Sequence, residues 1–433
     1  MSSEATKEKD GGTETQEETP IDKFHLVFII FLLEGIAVLI PWNMFTTIAP
    51  NYYVEYWFTV DGNKTSYAKS FMSALGITAQ IPNFSAALIS TLQILGGPLM
   101  FRVAATLLSN CLCVTAILVL VISQNPSEDA MNWFYIVSLV IVLFLNASNG
   151  LFQNCVFGLV ADFPAIYTNA FIVGQNICGV VITILAIIAT SCLPTQYKTV
   201  TEIFFSICLG VLIICVISLV ILTRSKFYHY YLERGNQARA VQQSSTPSFS
   251  QFVETFKGCW MQLANVTLIF FVTLSLCPAI LVGITPSAKG QKWNSSIPKE
   301  LYYQITVFLV FNIMALSGST TANFIQIPGP RTLFYFVLAR LLFIPYFMLC
   351  NYNVDDRVMP VIFENEWFFI IGHAILSYTN GYFSSLAMMY APRIVPSPLA
   401  KTAGMLASLF LLSGILLGVA FTPVIITMVN SIP

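Results

Sequence analysis

Runs of about twenty apolar residues recur along this chain with few charges inside them, and that pattern leaves few folds open. A helix needs roughly 20 such residues to cross the hydrocarbon of a bilayer, and every backbone N–H and C=O there must be satisfied within the segment. Transmembrane strands are set aside, because the runs are too long and do not alternate. Of the 433 residues, 56% are hydrophobic and only 9% charged, where an ordinary soluble domain is about a quarter charged. The chain is therefore expected to be an all-α integral membrane protein.

Eleven spans are predicted, near 24–46, 71–95, 99–122, 132–156, 164–190 and 200–223, then 263–284, 299–323, 332–350, 366–390 and 401–428. The order defines an N-terminal bundle at 24–223 and a C-terminal bundle at 263–433. Between them, the interval 224–262 carries five basic residues and two acidic ones, Glu233 and Glu254. It reads as a flexible cytoplasmic linker, open to phosphorylation or to contact with anionic lipid. Residues 1–23 are polar and mostly acidic and cannot bury enough surface to fold alone. They lack the basic start and apolar core of a cleaved signal.

An odd number of spans puts the termini on opposite sides, and the Lys/Arg bias of the loops decides which is inside. With the N-terminus inside, inner segments hold twelve Lys and Arg and outer ones seven, Arg340 lying within a span. The N-terminus is thus expected in the cytoplasm and the C-terminus outside, with the plasma membrane as the default location. Sequons at Asn63 and Asn294 then fall in outer loops, where glycosylation requires them. Those at Asn83, Asn146 and Asn265 fall inside spans and read as chance matches.

Polar side chains in hydrocarbon are costly, so they are expected to face the bundle interior or a wet path. Three spans carry them at helical spacing: Asn146, Asn149, Gln153 and Phe157; Asn312, Leu316, Ser319 and Asn323; His373, Ser377, Asn380 and Ser384. Helix packing explains any one such residue, whereas three stripes point to a polar cavity. The stretch EGIAVLIPWNMFTTIAPNYY, residues 34–53, adds Glu34, Pro41, Trp42 and Asn43. At about 100° per residue, Trp42 and Phe45 share the face of Glu34 and Asn43 points away. An aromatic beside a carboxylate suits a flat polar ligand, and Pro41 can kink the helix there. The alternative is an interfacial Trp at the outer end of the span.

Catalysis finds little support. There are three His (His25, His229, His373) and no HExxH, GxSxG, phosphate-cradling Gly loop or paired carboxylates within one span, so no enzyme, cofactor, metal or nucleic-acid partner is expected. The ten Cys form no CxxC pair and read as packing residues.

PWNMFTTIAPNYY resembles the PWNxF motif that opens members of the equilibrative nucleoside transporter family, and other segments agree in order. These are AQIPN in the second span, NGLFQNCVFGLVADFPAIYTNAFIVGQNICG across the fourth and fifth, VLARLLFIP in the ninth, EWFFIIGHAILSYTNGYFSSLAMMYAP in the tenth, and KTAG opening the last. The resemblance implies eleven spans in a six-plus-five, major-facilitator-like arrangement. It also implies a cytoplasmic N-terminus and movement of nucleosides down their gradient by alternating access.

Carried over residue by residue, the family's substrate pocket corresponds to Leu39, Trp42, Gln80, Gln153 and Asn312, and the Arg that opens its third span matches Arg102. Asn43 of the PWNxF motif and Ser319 complete the candidate set. The family's FNxxDxxGR segment reads FNIMALSGS here, so Ala315 and Ser319 replace an Asp and an Arg associated with the ribose hydroxyls. Losing both avoids a lone buried charge, but removes charge-assisted bonds worth roughly 1.5 to 3 kcal/mol each.

The expected partners are a small-molecule substrate, a nucleoside or nucleobase, and the lipid bilayer. Glu34, Arg102, Asp162 and Arg340 are expected as gating or structural polar groups. In this reading Asp162 anchors Arg102 or a helix start, Glu34 or Asp162 offers a proton-coupling group, and Arg340 braces the packing. Rival readings are a carrier of nucleobases or other small polar solutes, a non-transporting regulator or scaffold, and a membrane enzyme.

Overall fold

The computed structural model describes residues 20–431, apart from 93, 95, 242–248, 288–291 and 355. Residues 1–19 of the acidic tail and most of the Ser-rich stretch of the linker lie outside the described residues. Helix α1 (Leu26–Ala49) runs unbroken through Pro41 and continues into a π-helical segment, Pro50–Trp57. A short hairpin, β1 (Thr59–Val60) with β2 (Asn63–Lys64), follows. Next come α2 (Ser66–Thr91), α3 (Leu99–Ser123), α4 (Met131–Val160), α5 (Ala165–Cys192) and α6 (Tyr197–Leu222). A shorter α7 (Lys226–Val241) precedes α8 (Phe249–Leu276) and the single turn α9 (Ala279–Val282). A π-helical segment, Gln304–Leu309, opens α10 (Val310–Thr321); α11 (Leu333–Ala339) and α12 (Phe343–Met348) flank a 3₁₀ turn; α13 (Glu366–Arg393) and α14 (Ala400–Ser431) complete the chain.

The distribution of side chains is inverted relative to a protein folded in water. Leu112 is 72% exposed and Phe101 71%, whereas Asn110 and Asn154 are at 0%. Apolar surface facing out and amides facing in is what a lipid solvent selects, since only the interior offers an amide partners. Nine helical segments among the described residues are long and apolar enough to span a membrane. The two other predicted spans fall short for identifiable reasons. The ninth is divided into α11 and α12 and carries Pro345, and α13, though 28 residues long, is diluted by His373, Ser377, Asn380 and Ser384.

Close helix crossings depend on glycine. A Cβ at Gly174 would strike the Leu32 carbonyl, so α1 and α5 can meet backbone to backbone; a Cβ at Gly381 would likewise strike the carbonyl of Ala315, where α13 crosses α10.

The interval read as a flexible linker contains a docked helix, a correction with a clear cause. Its Phe227, Tyr228 and Tyr231 pack on Phe163, with ring centroids 6.2, 6.0 and 5.4 Å away. That aromatic burial outweighs the polar composition of the rest of the segment.

Candidate functional site

One polar seam crosses the bundle, formed by α5 from before the linker and by α10 with the segment preceding it from after the linker. On α5, Asn169, Asn176, Thr183 and Thr190 recur every seven residues, two turns apart and hence on one face. Each meets a partner on an antiparallel neighbour. Asn169 Nδ2 donates to the Ser319 carbonyl and to Asn323 Oδ1, both at 2.7 Å. Asn176 Nδ2 donates to Ser319 Oγ (3.0 Å), Asn312 Nδ2 to Thr183 Oγ1 (3.0 Å), and Gln304 Nε2 to Thr190 Oγ1 (3.0 Å). From Asn169 to Thr190 the rise is about 31 Å at 1.5 Å per residue, close to the thickness of the hydrocarbon. None of these side chains is ionisable. Gly179 makes the room: a Cβ there would collide with the Asn312 amide.

A second contact between the same parts of the chain lies toward the end that carries α7. Asn154 Nδ2 on α4 donates to Thr91 Oγ1 of α2 and to the Met405 carbonyl of α14, both at 2.9 Å. A Cβ at Gly404 would strike the Phe157 carbonyl, so α14 and α4 also touch at backbone distance.

The predicted site residues separate into two groups. Leu39, Trp42 and Asn43 on α1 and Gln80 on α2 are half-buried, and Gln153 on α4 is buried. Trp42 and Leu39 pack against the main apolar cluster. The side-chain amides of Gln80 and Gln153 make no hydrogen bond to another described residue. Asn312 and Ser319 instead belong to the seam. Asn312 Nδ2 has two acceptors, Thr183 Oγ1 and the Phe308 carbonyl, which leaves its Oδ1. Ser319 accepts from Asn176 and donates to the Leu316 carbonyl. Ala315 is fully buried where α10 crosses α13, so the position that carries an Asp in the family pattern is here part of a tight helix contact.

Much of the other two polar stripes is engaged in helix packing, Gln153 on α4 excepted. Asn146 bonds back to the Val142 carbonyl, and Asn149 Oδ1 accepts from Asn110 of α3 at 2.7 Å. On α13, Ser377 and Ser384 bond within their own helix, Asn380 accepts from Thr273 of α8, and His373 Nδ1 donates to the Thr306 carbonyl. Only the α10 stripe lies in the seam. The α5 half of that seam went unread in the sequence, although a strict seven-residue recurrence of Asn, Asn, Thr and Thr within an apolar run was the signal for it.

The charged groups also find places. Glu34 is turned toward α6, where its Oε1 accepts from Ser218 Oγ at 2.9 Å. It therefore lies in a contact between α1 and α6 and not in the seam. Asp162 does not anchor Arg102. It forms a bidentate pair with Arg239 of α7, at 2.9 and 3.0 Å, because the aromatic docking of α7 brings that guanidinium within reach. Arg102 is buried, with Nε and Nη1 unpartnered among the described residues. Arg340, 2% exposed, has no carboxylate partner among the described residues; it donates to the Ile269 and Leu376 carbonyls and to Thr273 Oγ1. These contacts reach α8 and α13. Asn63 and Asn294 are exposed, whereas Asn146 and Asn265 are buried and engaged.

Helices of membrane-spanning length surround an uncharged polar seam, and this fold has solved counterparts. The chain resembles a proton:xylose symporter of the major facilitator superfamily with a TM-score of 0.63 at 12% identity, over 93% of this chain and 88% of that one. It resembles the E. coli fucose:proton symporter with a TM-score of 0.53 at 12% identity, over 93% and 91%. The sequence is 28% identical over 436 residues to equilibrative nucleoside transporter 3 of Rattus norvegicus (93% of this chain, 89% of the relative) and 28% over 461 residues to equilibrative nucleoside transporter 1 of Homo sapiens (94% and 98%). Residues 139–427 match the nucleoside transporter family, and the chain belongs to that family.

Proposed function

We propose that this chain is a facilitative carrier that moves nucleosides down their gradient by alternately parting the two ends of the α5–α10 seam. Family membership supports the substrate class, and the seam is the observation that carries the mechanism. Its bonds are all neutral, and a neutral bond exchanged for a bond to water or solute costs only about 0.5 to 1.5 kcal/mol net. Parting half of the seam is therefore affordable to a rocking motion, whereas opening a buried ion pair of similar extent would cost several kcal/mol. No ionisable group needs to be loaded within the seam, which favours movement without proton coupling.

In this reading the eleven predicted spans stand, with α11–α12 as the ninth and α13 as the tenth. Residues 24–223 and 263–433 form the two bundles, with 224–262 joining them. Trp42 and Leu39 wall a base, and Gln80, Gln153 and Asn312 hydrogen-bond it from three helices, with Asn43 and Ser319 at the margin. A buried amide with no protein partner needs another one, and Gln153 has that character. The α7 end is cytoplasmic and the protein sits in the plasma membrane with the C-terminus outside. Glycosylation at Asn63 and Asn294 fits that orientation: Asn63→Gln and Asn294→Gln should each remove a glycan-dependent gel shift, and an unchanged shift in both speaks against it.

The direct test is uptake of labelled uridine and adenosine, with hypoxanthine for comparison, in cells lacking endogenous carriers. Saturable nucleoside uptake that is indifferent to a proton gradient is expected. No uptake above vector, or uptake that needs the gradient, would refute the proposal.

A further inference from the structure

One cavity lies at the α7 end, apart from the bonded residues of the α5–α10 seam. It holds about 380 Å³ and is walled by three parts of the chain: the turn between α4 and α5, α7, and the segment joining α13 to α14. Arg234 lines it from α7 and Arg393 from the end of α13. The one carboxylate in its wall, Asp162, has both oxygens engaged by Arg239. Arg393 donates to the neutral Gln326 Oε1 at 3.0 Å, and Arg234 forms no ion pair with a described residue. Lys401 lies within electrostatic reach of Asp162, Arg239 and Arg102, which adds to the positive excess. Arg102 is only 6% exposed, yet its Nε and Nη1 have no partner among the described residues. Helix α5, 28 residues long, starts at this turn without a side-chain cap, so its first N–H groups and the positive end of its dipole add to the same field.

We propose that this cavity binds a phosphate-type oxyanion, carried either by a lipid headgroup or by a soluble phosphate compound. Two Arg residues from different parts of the chain line the cavity, and a guanidinium offers the planar paired donors that phosphate oxygens accept best. Basic pockets between membrane helices on the cytoplasmic side receive phosphorylated headgroups by the same chemistry. Because Arg234 and Arg393 come from different parts of the chain, an oxyanion between them ties α7 to the C-terminal bundle and holds this end shut. The site depends on the α7 end being cytoplasmic. It does not depend on which solute is carried, and its test measures binding in the absence of solute.

The test uses the purified full-length chain in phosphatidylcholine nanodiscs and follows the thermal midpoint. One arm adds phosphatidylinositol bisphosphate to the lipid; others add soluble inositol trisphosphate or inorganic phosphate. A ligand that binds only the folded state raises the midpoint with concentration. The expected result is a rise in at least one phosphate-bearing arm, with apparent affinity about five-fold weaker in Arg234→Gln and again in Arg393→Gln. Arg224→Gln, away from the cavity, should keep the parent affinity. A rise with the lipid alone assigns the oxyanion to a headgroup, and a rise with the soluble compounds as well assigns it to free phosphate; both support the site. If a Gln variant folds poorly in phosphatidylcholine, Arg234→Lys and Arg393→Lys provide the reading: keeping the charge but losing the planar fork should weaken the response part-way, and a response equal to the parent's in the double Lys variant overturns the site. No rise in any arm, or a rise undiminished in the double Gln variant, overturns the proposal.

Discussion

Two polar clusters inside the helix bundle have opposite chemistry. The seam between α5 and α10 is built from amides and hydroxyls, each bond crossing between parts of the chain on either side of the linker. The cluster around Arg340 is charged and lies wholly after the linker, tying α11–α12 to α8 and α13 through three acceptors. Burying a guanidinium in hydrocarbon is costly, and once its donors are placed any movement that strands them is costly again. Neutral amides carry no such penalty and can exchange partners. Position in the fold matches this difference: the exchangeable bonds lie where movement is required, and the fixed ones where a frame is required.

The largest effect is therefore expected at the frame. Arg340→Ala removes the donors and leaves a cavity in a packed region, at a cost of roughly 2 to 5 kcal/mol, so the purified variant should unfold well below the parent or fail to accumulate. A variant with the parent's thermal midpoint would show that the cluster braces nothing. Next in size is Gly179→Leu, which drives a side chain into Asn312 across the seam. Uptake should fall to a small fraction of the parent while surface abundance changes little; parallel loss of both would make Gly179 a folding residue and blur the distinction. Smaller still are Asn312→Ala and Gln153→Ala. Each removes about one neutral hydrogen bond to the solute, so KM should rise roughly two- to ten-fold, and unchanged kinetics would take that residue out of the pocket.

The helical fold was legible in the sequence because period and length dominate it. Runs of twenty apolar residues leave the backbone no other solution in lipid. The ninth predicted span shows the limit: Arg340 and Pro345 lie within its run, and the helix is broken there into short pieces. In the seam, Asn312 and Ser319 belong to the stripe read on α10, whereas Asn146 and Asn149 on α4 and the α13 stripe, read on the same spacing, are engaged in helix packing. A stripe shows that a helix has a polar face; it does not show which neighbour that face meets, because pairing is settled by glycine contacts such as Gly179 and Gly381. The α7 helix was missed for a related reason. Its composition is polar, and only the docking of Phe227, Tyr228 and Tyr231 on Phe163 fixes it.

The central claim is that the α5–α10 seam must part during transport. Thr190 and Gln304, hydrogen-bonded across it at 3.0 Å, provide the handle. In a Cys192→Ser background, Thr190→Cys and Gln304→Cys should be joined by a short bifunctional methanethiosulfonate cross-linker that spans the length of the lost glutamine side chain, the cross-link being read by mass. The account predicts that the cross-linked carrier loses nucleoside uptake and regains it on reduction. Uptake at the parent rate with the cross-link fully formed would contradict it.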